Sequence, residues 1–300
     1  MSLIVRSAIT VIHNPIAGNG KARRKFDATL RALGRLRAQV TLLETGGPGH
    51  ARDLARECAA RPPSERPDIL VVAGGDGTIN EAANGILGTS LAMAVIPMGT
   101  VNLLAMELGL PKDPHGLAEV IVNGPIRQIF PGYVDDRLFL VIASVGFDAD
   151  AVNAVSARMK RSMGKWAYVY TGIRRWLSGG VEDFGLVVEN KELRASWLLA
   201  ANGLYYGGPF SCADQASVFR PELFGCFMKK PGRLEILLTV GALLSGRFSK
   251  RKGVSITEIK TVNVQYPAGQ PVQADGDVVA FTPVTISSSS TDRINIAVPA

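Results

Sequence analysis

Short apolar runs alternate with amphipathic stretches through the first third of the chain. Ala8–Ile12 is an apolar run ending at His13-Asn14-Pro15, which predicts a strand feeding a turn. Lys21–Leu36 has helical spacing with many Lys and Arg. Gln39–Leu43 predicts a second strand, and His50–Ala60 a second amphipathic helix, stopped at Arg61-Pro62-Pro63. Asp68–Ala73 is almost continuously apolar, the pattern of a strand buried on both faces of a parallel sheet. Gly74–Thr78 predicts a turn, Ile79–Ile86 a helix, Leu91–Ile96 another buried strand closed by Pro97, and Thr100–Leu108 a helix ended by Leu110-Pro111. Strands and helices in this order predict a doubly wound α/β domain.

After about Ile129 the texture changes. Leu138–Val145, Gly185–Glu189, Ser196–Ala201, Arg233–Thr239 and Thr261–Gln265 predict strands of a mostly antiparallel second domain, interrupted by a basic, helix-compatible insert from Ala149 to Leu177. The expected division is 1–129, with 286–300 a candidate to complete it, and 130–285.

A hydrophobic fraction of 47% against 20% charged residues predicts well-buried cores and argues against disorder. The three cysteines, Cys58, Cys212 and Cys226, have neither metal spacing nor the even number of a disulfide framework, which suits a reducing cytoplasm. The first ten residues turn polar too early for a secretory signal. Ala82–Met106 and Ala195–Ala213 lack charge and are long enough to span a bilayer, but Gly, Pro and Asn interrupt both, so buried strands and turns in a soluble protein are expected. The net charge of +7 fits nucleic acid, an anionic membrane face or a phosphate-bearing substrate. No recognised nucleic-acid motif accompanies it, so nucleic acid is not the expected partner.

The chemistry concentrates in turns. Gly74-Gly75-Asp76-Gly77-Thr78 sits between a buried strand and a helix, where open α/β sheets bind ligands. Glycines let backbone N–H groups approach an anion, and a helix N-terminus adds favourable partial charge. Asp76 would repel a bare phosphate, which points to a magnesium ion between carboxylate and phosphates. The segment is neither the GxGxxG fingerprint nor a Walker loop; alone, it is also what an ordinary glycine-rich turn with an Asp cap looks like. Asn14-Pro15-Ile16-Ala17-Gly18 and Pro97-Met98-Gly99-Thr100-Val101-Asn102 follow two other strands. Three such turns along one sheet edge would form a continuous nucleotide cradle. Asn80 and Glu81 face the same turn as Thr78, and helix-surface polarity explains them as well as catalysis does. The three histidines form no metal or nucleophile motif.

NPxxG, GGDGT and PxGTxN, in this order and spacing, resemble the diacylglycerol-kinase catalytic domain, in its bacterial lipid-kinase branch related to sphingosine and ceramide kinases. The likeness covers roughly the first 110 residues and continues more weakly to Asp277. It implies ATP and Mg as cofactors, a lipid substrate, and a nucleotide site using Asn14, Gly18, Thr45, Gly74, Gly75, Asp76, Gly77, Thr78 and Thr100. It also implies a β-sandwich-like lipid domain after the α/β domain, with the active site between them. The family's late acidic motif stands here as Asp275-Gly276-Asp277; Asp277 is the candidate base, Asp275 its rival, and Asp76 organises metal and phosphates. An alcohol needs a base as its bond to phosphorus forms. Asp-Gly is equally a hairpin signal, and a turn can carry a base.

One departure stands out. The family carries an Asp-Gly pair, associated with a structural magnesium, after the segment that reads here Asn202-Gly203-Leu204-Tyr205-Tyr206-Gly207-Gly208. This chain has Arg220-Pro221 there, and a cation cannot ligate a metal. Asp214 or Glu222 are the expected substitutes. Basic clusters at Arg158-Lys160-Arg161-Lys165, Arg174-Arg175, Lys229-Lys230 and Arg247-Lys250-Arg251-Lys252, with Trp166, Tyr168, Tyr170, Trp176 and Phe248 nearby, suit either a solvated face or docking on an anionic membrane surface. The expectation is an ATP-dependent lipid kinase, cytoplasmic and peripheral at the membrane. Its rivals are a NAD kinase, which shares GGDGT, and a catalytically degenerate nucleotide or lipid sensor. Oligomeric state leaves no mark on the sequence.

Overall fold

The four strand-like runs of the first third become parallel strands, three of them largely buried and β2 mostly exposed. β1 (Ala8–His13), β2 (Gln39–Glu44), β3 (Ile69–Gly74) and β4 (Met93–Pro97) stand in the order β2-β1-β3-β4. β20 (Ile294–Ala297) adds parallel to β4, and β5 (Ile126–Ile129) antiparallel to β20. The computed structural model describes residues 6–154, 171, 183–228 and 233–300. This sheet belongs to the first of two compact units, Met1–Ile129 with Thr291–Ala300; the second is Phe130–Ser290.

Local chemistry explains the helices of the first unit. α1 (Gly20–Arg35) is started by Asn19, whose side chain accepts from the Lys21 and Ala22 amides, and it buries Phe26, Thr29, Ala32 and Leu33 along one face. α2 (His50–Ala60) packs against α3 (Asp76–Ile86) so closely that a Cβ on Gly85 would stand 2.3 Å from the Arg52 carbonyl. α4 (Leu103–Glu107) and α5 (Pro114–Asn123) follow; Asp113 caps α5 by accepting from Gly116 N–H at 2.8 Å. Phe26, Leu33, Val71, Ile96 and Ala118 share one buried core. The chain leaves β1 toward β2 on one side and reaches β3 on the other, so the carboxyl ends of β1 and β3 flank the switch point where such sheets open a crevice.

The second unit has two six-stranded antiparallel sheets. One runs β10 (Lys191–Ala195), β9 (Phe184–Val188), β16 (Thr261–Tyr266), β19 (Val284–Ser288), β6 (Gly132–Val134), β7 (Arg137–Phe139). The other runs β15 (Val254–Ile259), β14 (Leu223–Met228), β11 (Trp197–Ala201), β8 (Ile142–Gly146), β17 (Pro271–Ala274), β18 (Asp277–Phe281). Phe139, Leu186 and Ile286 of the first meet Val145, Leu198 and Val272 of the second in one core, which makes the pair a sandwich. A short ribbon of β12 (Tyr205–Tyr206) and β13 (Phe210–Ser211) and helix α6 (Phe147–Asn153) flank it.

Three expectations are corrected. The run Leu138–Val145 is not one strand: it breaks at residues 140–141, and its halves, β7 and β8, belong to different sheets. Arg233–Thr239 is not a strand but the start of α7 (Arg233–Leu244), which is apolar on both faces and therefore shows no helical period. Helix α3 begins at Asp76, inside the segment expected to be a turn. Of the basic insert, α6 holds the start, and residues 155–170 and 172–177 lie outside the described residues. No helix among the described residues is long and apolar enough to cross a membrane.

Candidate functional site

In the first unit the three motif turns interlock at the carboxyl edge of the sheet. Asn14, just past β1, donates its backbone N–H to the Ala73 carbonyl at 3.0 Å, and its side-chain Nδ2 donates to Thr78 Oγ1 at 3.0 Å. Its Oδ1 accepts from Ile16 N–H at 3.1 Å, which shapes the rest of the NPxxG turn. Gly18 has φ +77°, and a Cβ there would meet the Met98 carbonyl at 2.8 Å, so this turn lies against the turn after β4. A Cβ on Gly99 would stand 2.9 Å from the Gly75 Cα, so the turns after β3 and β4 touch backbone to backbone. Asn102, itself left-handed at φ 56°, folds its turn by accepting from Gly99 N–H at 2.7 Å and donating to the Gly99 carbonyl at 2.8 Å. The Asn102 N–H then donates to Asp76 Oδ2 at 3.1 Å. Thr100 is exposed on that turn; Gly75, Asp76, Gly77 and Thr78 are half-buried, and Gly74 is buried.

The helix that starts here is unlike α1 and α5. Those are capped by Asn19 and Asp113, whereas Gly75 at the start of α3 offers no side-chain cap. An uncapped helix start leaves its first amides to be satisfied from outside, which is the chemistry of an anion site. Thr45 lies past β2, its N–H donating to the His13 carbonyl at 2.9 Å. Glu81, left open in the sequence between helix-surface polarity and catalysis, has a definite structural task. Its Oε1 accepts from Gly49 N–H at 2.8 Å and its Oε2 from Ala51 N–H at 3.3 Å, so it caps α2 from α3 and fixes the turn after β2 beside the other three.

In the second unit, Asp275-Gly276 is the two-residue turn of the β17–β18 hairpin, with φ of 48° and 89° and Ala274 paired to Asp277. Asp275, the expected rival base, has a framing task in this structure. Its Oδ2 accepts from Leu140 N–H at 2.7 Å, and its Oδ1 from Val141 and Ile142 N–H at 2.9 and 3.1 Å. Asn202 completes the same knot, donating to the Leu140 and Phe130 carbonyls at 2.6 and 2.7 Å. These bonds satisfy the backbone where the chain crosses between sheets, and they occupy both oxygens of Asp275. Asp277 is the exposed first residue of β18.

Behind the hairpin runs a buried polar chain that sequence reading missed. Gly276 N–H donates to Gln273 Oε1 at 3.0 Å, Gln273 Nε2 to Ser144 Oγ at 2.7 Å, and Ser144 Oγ to Asp148 Oδ2 at 2.6 Å. Asp148 also accepts from Tyr206 OH at 2.8 Å and Trp197 Nε1 at 2.7 Å. Burial raises the Asp148 carboxyl above the usual carboxylate range despite these donors, and burial with the neighbouring Asp148 pushes the Tyr206 phenol well up. The only sequence trace of this chain was an Asp in a helix start after a buried strand.

Two family models tile the chain: the diacylglycerol kinase catalytic domain matches residues 8–134, and the YegS C-terminal NAD kinase beta sandwich-like domain matches 141–297. A diacylglycerol kinase of Mycobacterium tuberculosis (strain ATCC 25618 / H37Rv) is 31% identical over 290 residues, covering 93% of this chain and 92% of the relative. The chain belongs to the diacylglycerol kinase family. It is, by that membership, a lipid kinase. A Bacillus subtilis (strain 168) diacylglycerol kinase is 26% identical over 91% of this chain and 90% of its own length. The crystal structure of a Bacillus anthracis str. Sterne diacylglycerol kinase, 22% identical, superposes with a TM-score of 0.78 over 98% of this chain and 97% of that one, which shows the shared fold.

Within this family the second magnesium is the point of departure, and the residues present do not fit it. Asp214 spends its two oxygens on Ser211 Oγ and Ser249 Oγ, both at 2.7 Å, and these bonds hold its carboxyl below the usual range. Glu222 keeps one buried oxygen without a hydrogen-bond partner, but no group of three His, Cys, Asp or Glu suited to a metal exists among the described residues. Asp214 and Glu222, the expected substitutes for the missing acid, belong to no such group there. Of the basic and aromatic clusters, only Arg247-Phe248-Lys250-Arg251-Lys252 falls within the described residues. Phe248 there is buried against Trp197, not exposed to a headgroup.

Proposed function

We propose that the chain transfers the terminal phosphoryl group of Mg-ATP to the hydroxyl of a membrane lipid, with diacylglycerol the first acceptor to test because it names the curated relatives. The observation that carries this reading is the interlocking of three glycine-bearing turns around the uncapped start of α3. That edge offers amides to phosphate oxygens, and Gly18, Gly75 and Gly99 leave no side chain in the way. Asp76 is the acid that would hold the metal end of Mg-ATP, and its bond from Asn102 ties its carboxylate to the turn carrying Thr100. Phosphoryl transfer through a loose transition state asks the protein chiefly for placement and charge, which rigid turns supply.

The base is Asp277. The neighbouring Asp275 is bound to three backbone donors, and the hairpin they hold presents Asp277 as its first exposed strand residue. Aspartate is one methylene shorter than glutamate, so the rigidity of the turn matters more here. The acceptor lives in a bilayer, and the protein meets it at the surface, peripherally, with its basic residues toward anionic lipid.

The test incubates the purified protein with labelled ATP, magnesium and a panel of diacylglycerol, sphingoid base, ceramide and glycerophospholipid in mixed micelles, alongside NAD. Label in a phospholipid product and none in NADP is the expected result. Label in NADP would make the protein a NAD kinase, and nucleotide binding without any turnover would make it a sensor.

A further inference from the structure

Helix α7 carries two apolar faces where a surface helix needs one. Its inner face is accounted for: Ile236, Thr239 and Leu243 are buried. Its outer face presents Leu234, Leu237, Leu238 and Leu244 at 67%, 48%, 50% and 58% exposure. These four are close together on one helix, while Ile16, Ile126, Leu193 and Phe281 are scattered singly and Val40 and Leu42 make only a pair on β2. Scattered apolar residues are ordinary on a protein surface; a leucine stripe is not.

The basic segment after the helix is fastened to it. Arg247, Lys250 and Lys252 are exposed, and Arg251 folds back, its Nε donating to Thr239 Oγ1 at 2.7 Å and its Nη2 to the Glu235 carbonyl at 3.3 Å. Phe248 plugs into the sandwich against Trp197 and anchors the turn. Leucines and cations therefore belong to one fixed surface of the second unit. The helix has 12 residues, about 18 Å at its rise per residue, too short for a hydrocarbon layer of about 30 Å. Such a helix lies in the plane of the interface, with its apolar face in the acyl boundary and its cations at the headgroups.

We propose that the outer face of α7 is the protein's membrane-insertion surface, and that its occupant is a bilayer containing anionic lipid. This deepens the lipid-acceptor reading above and rests on it. A second copy of the chain is the weaker occupant. A two-fold contact through this face would set one copy's Arg247-to-Lys252 turn near the other's, like charge against like, whereas anionic headgroups neutralise both.

The experiment uses the full chain and vesicles of phosphatidylcholine alone or with roughly one part in four phosphatidylglycerol. Cosedimentation should show binding to the mixed vesicles, weaker binding to phosphatidylcholine and loss at raised salt. The double variant Leu237→Ser/Leu238→Ser should bind the mixed vesicles at least about tenfold less tightly. Its phosphorylation of bilayer-embedded diacylglycerol should fall with it, while its rate on a monomeric short-chain diacylglycerol stays. As a fold-independent check, Leu237→Cys can be labelled selectively because Cys58, Cys212 and Cys226 are buried. An environment-sensitive dye there should shift to the blue on adding mixed vesicles.

Unchanged vesicle binding by the double variant, a dye spectrum indifferent to vesicles, or a wild type that ignores the mixed vesicles would each overturn the proposal. So would a variant that turns a dimer into a monomer with vesicle binding intact. If the wild type binds vesicles through α7 yet phosphorylates no lipid in any form, the insertion surface stands and the kinase-acceptor reading falls.

Discussion

The two units hold their working residues in opposite ways. In the first, the turns after β1, β3 and β4 are fixed mainly by backbone and by short side chains lying in those same turns: Asn14 to Thr78, Asn102 to Gly99, Asn102 N–H to Asp76. In the second, one hairpin is held by groups brought from far along the chain: Asp275 grips the amides of residues 140–142, and Gln273 reaches Ser144 and through it Asp148. A parallel sheet delivers loop after loop to one edge, so its site needs little beyond good turns. The hairpin of this sandwich is instead braced by groups from distant strands.

The largest expected effect tests whether the braced hairpin carries chemistry at all. Asp277→Asn keeps shape and removes the base, so turnover should fall roughly 10²- to 10⁴-fold with nucleotide affinity unchanged. Asp76→Ala should weaken nucleotide binding and turnover together. Equal behaviour of the two variants in steady-state kinetics and nucleotide titration would erase the distinction between units, and a near-normal rate for Asp277→Asn would move the base elsewhere.

The next effect is on stability. Asp275→Ala strips acceptors from three backbone N–H groups, each worth about 1–3 kcal/mol when orphaned in the interior, and a loss of at least about 3 kcal/mol is expected from urea midpoints. Asp76→Ala removes the acceptor of one such bond, to Asn102, and should lose about 1 kcal/mol. If both lose alike, the second unit is not braced as described.

The same contrast decides what could be read from sequence. The α/β alternation and the three turns were legible because strand, glycine turn and helix start are each written in a few adjacent residues. The hairpin at Asp275-Gly276 was legible as a turn for the same reason. Its frame was not, because nothing near Asp275 shows that its partners stand at residues 140–142, or that the run Leu138–Val145 must break there to change sheets. Helix α7 was misread as a strand because its outer leucines erase the polar face that marks a surface helix. Glu81 was underrated because the α2 start that it caps is distant in sequence.

Glu81 also shows that the first unit is not wholly local, and it gives the third prediction. Glu81→Ala leaves the Gly49 and Ala51 amides at the start of α2 without their acceptor, a loss of about 1–2 kcal/mol by chemical denaturation. The value should fall between the Asp76→Ala and Asp275→Ala losses. A loss as large as that of Asp275→Ala would mean that the first unit, too, depends on a long-range brace.

The smallest effect separates the units by the sign of their pH response. His13 ends β1, stacked on Phe26 at 4.4 Å with the planes 10° apart, and its buried Nδ1 has no hydrogen-bond partner among the described residues. Glu44 Oε1 stands 3.9 Å away, beyond good hydrogen-bond distance, and favours the protonated ring. Burial outweighs that effect and holds the imidazole pKa below its usual value. The unfolded chain therefore takes up the proton first as pH falls through about 6.5, and stability declines from there down to the lower native pKa, then levels. Asp148 works the other way: its raised native pKa means that the folded chain holds the proton longer, so stability declines as pH rises from about 3.9 toward that value. His13→Phe keeps the stack and removes the titration, so the stability decline just below pH 6.5 should flatten by less than about 1 kcal/mol in denaturation midpoints taken across that range. An unchanged slope would mean that the imidazole is not what the first unit protects from protons.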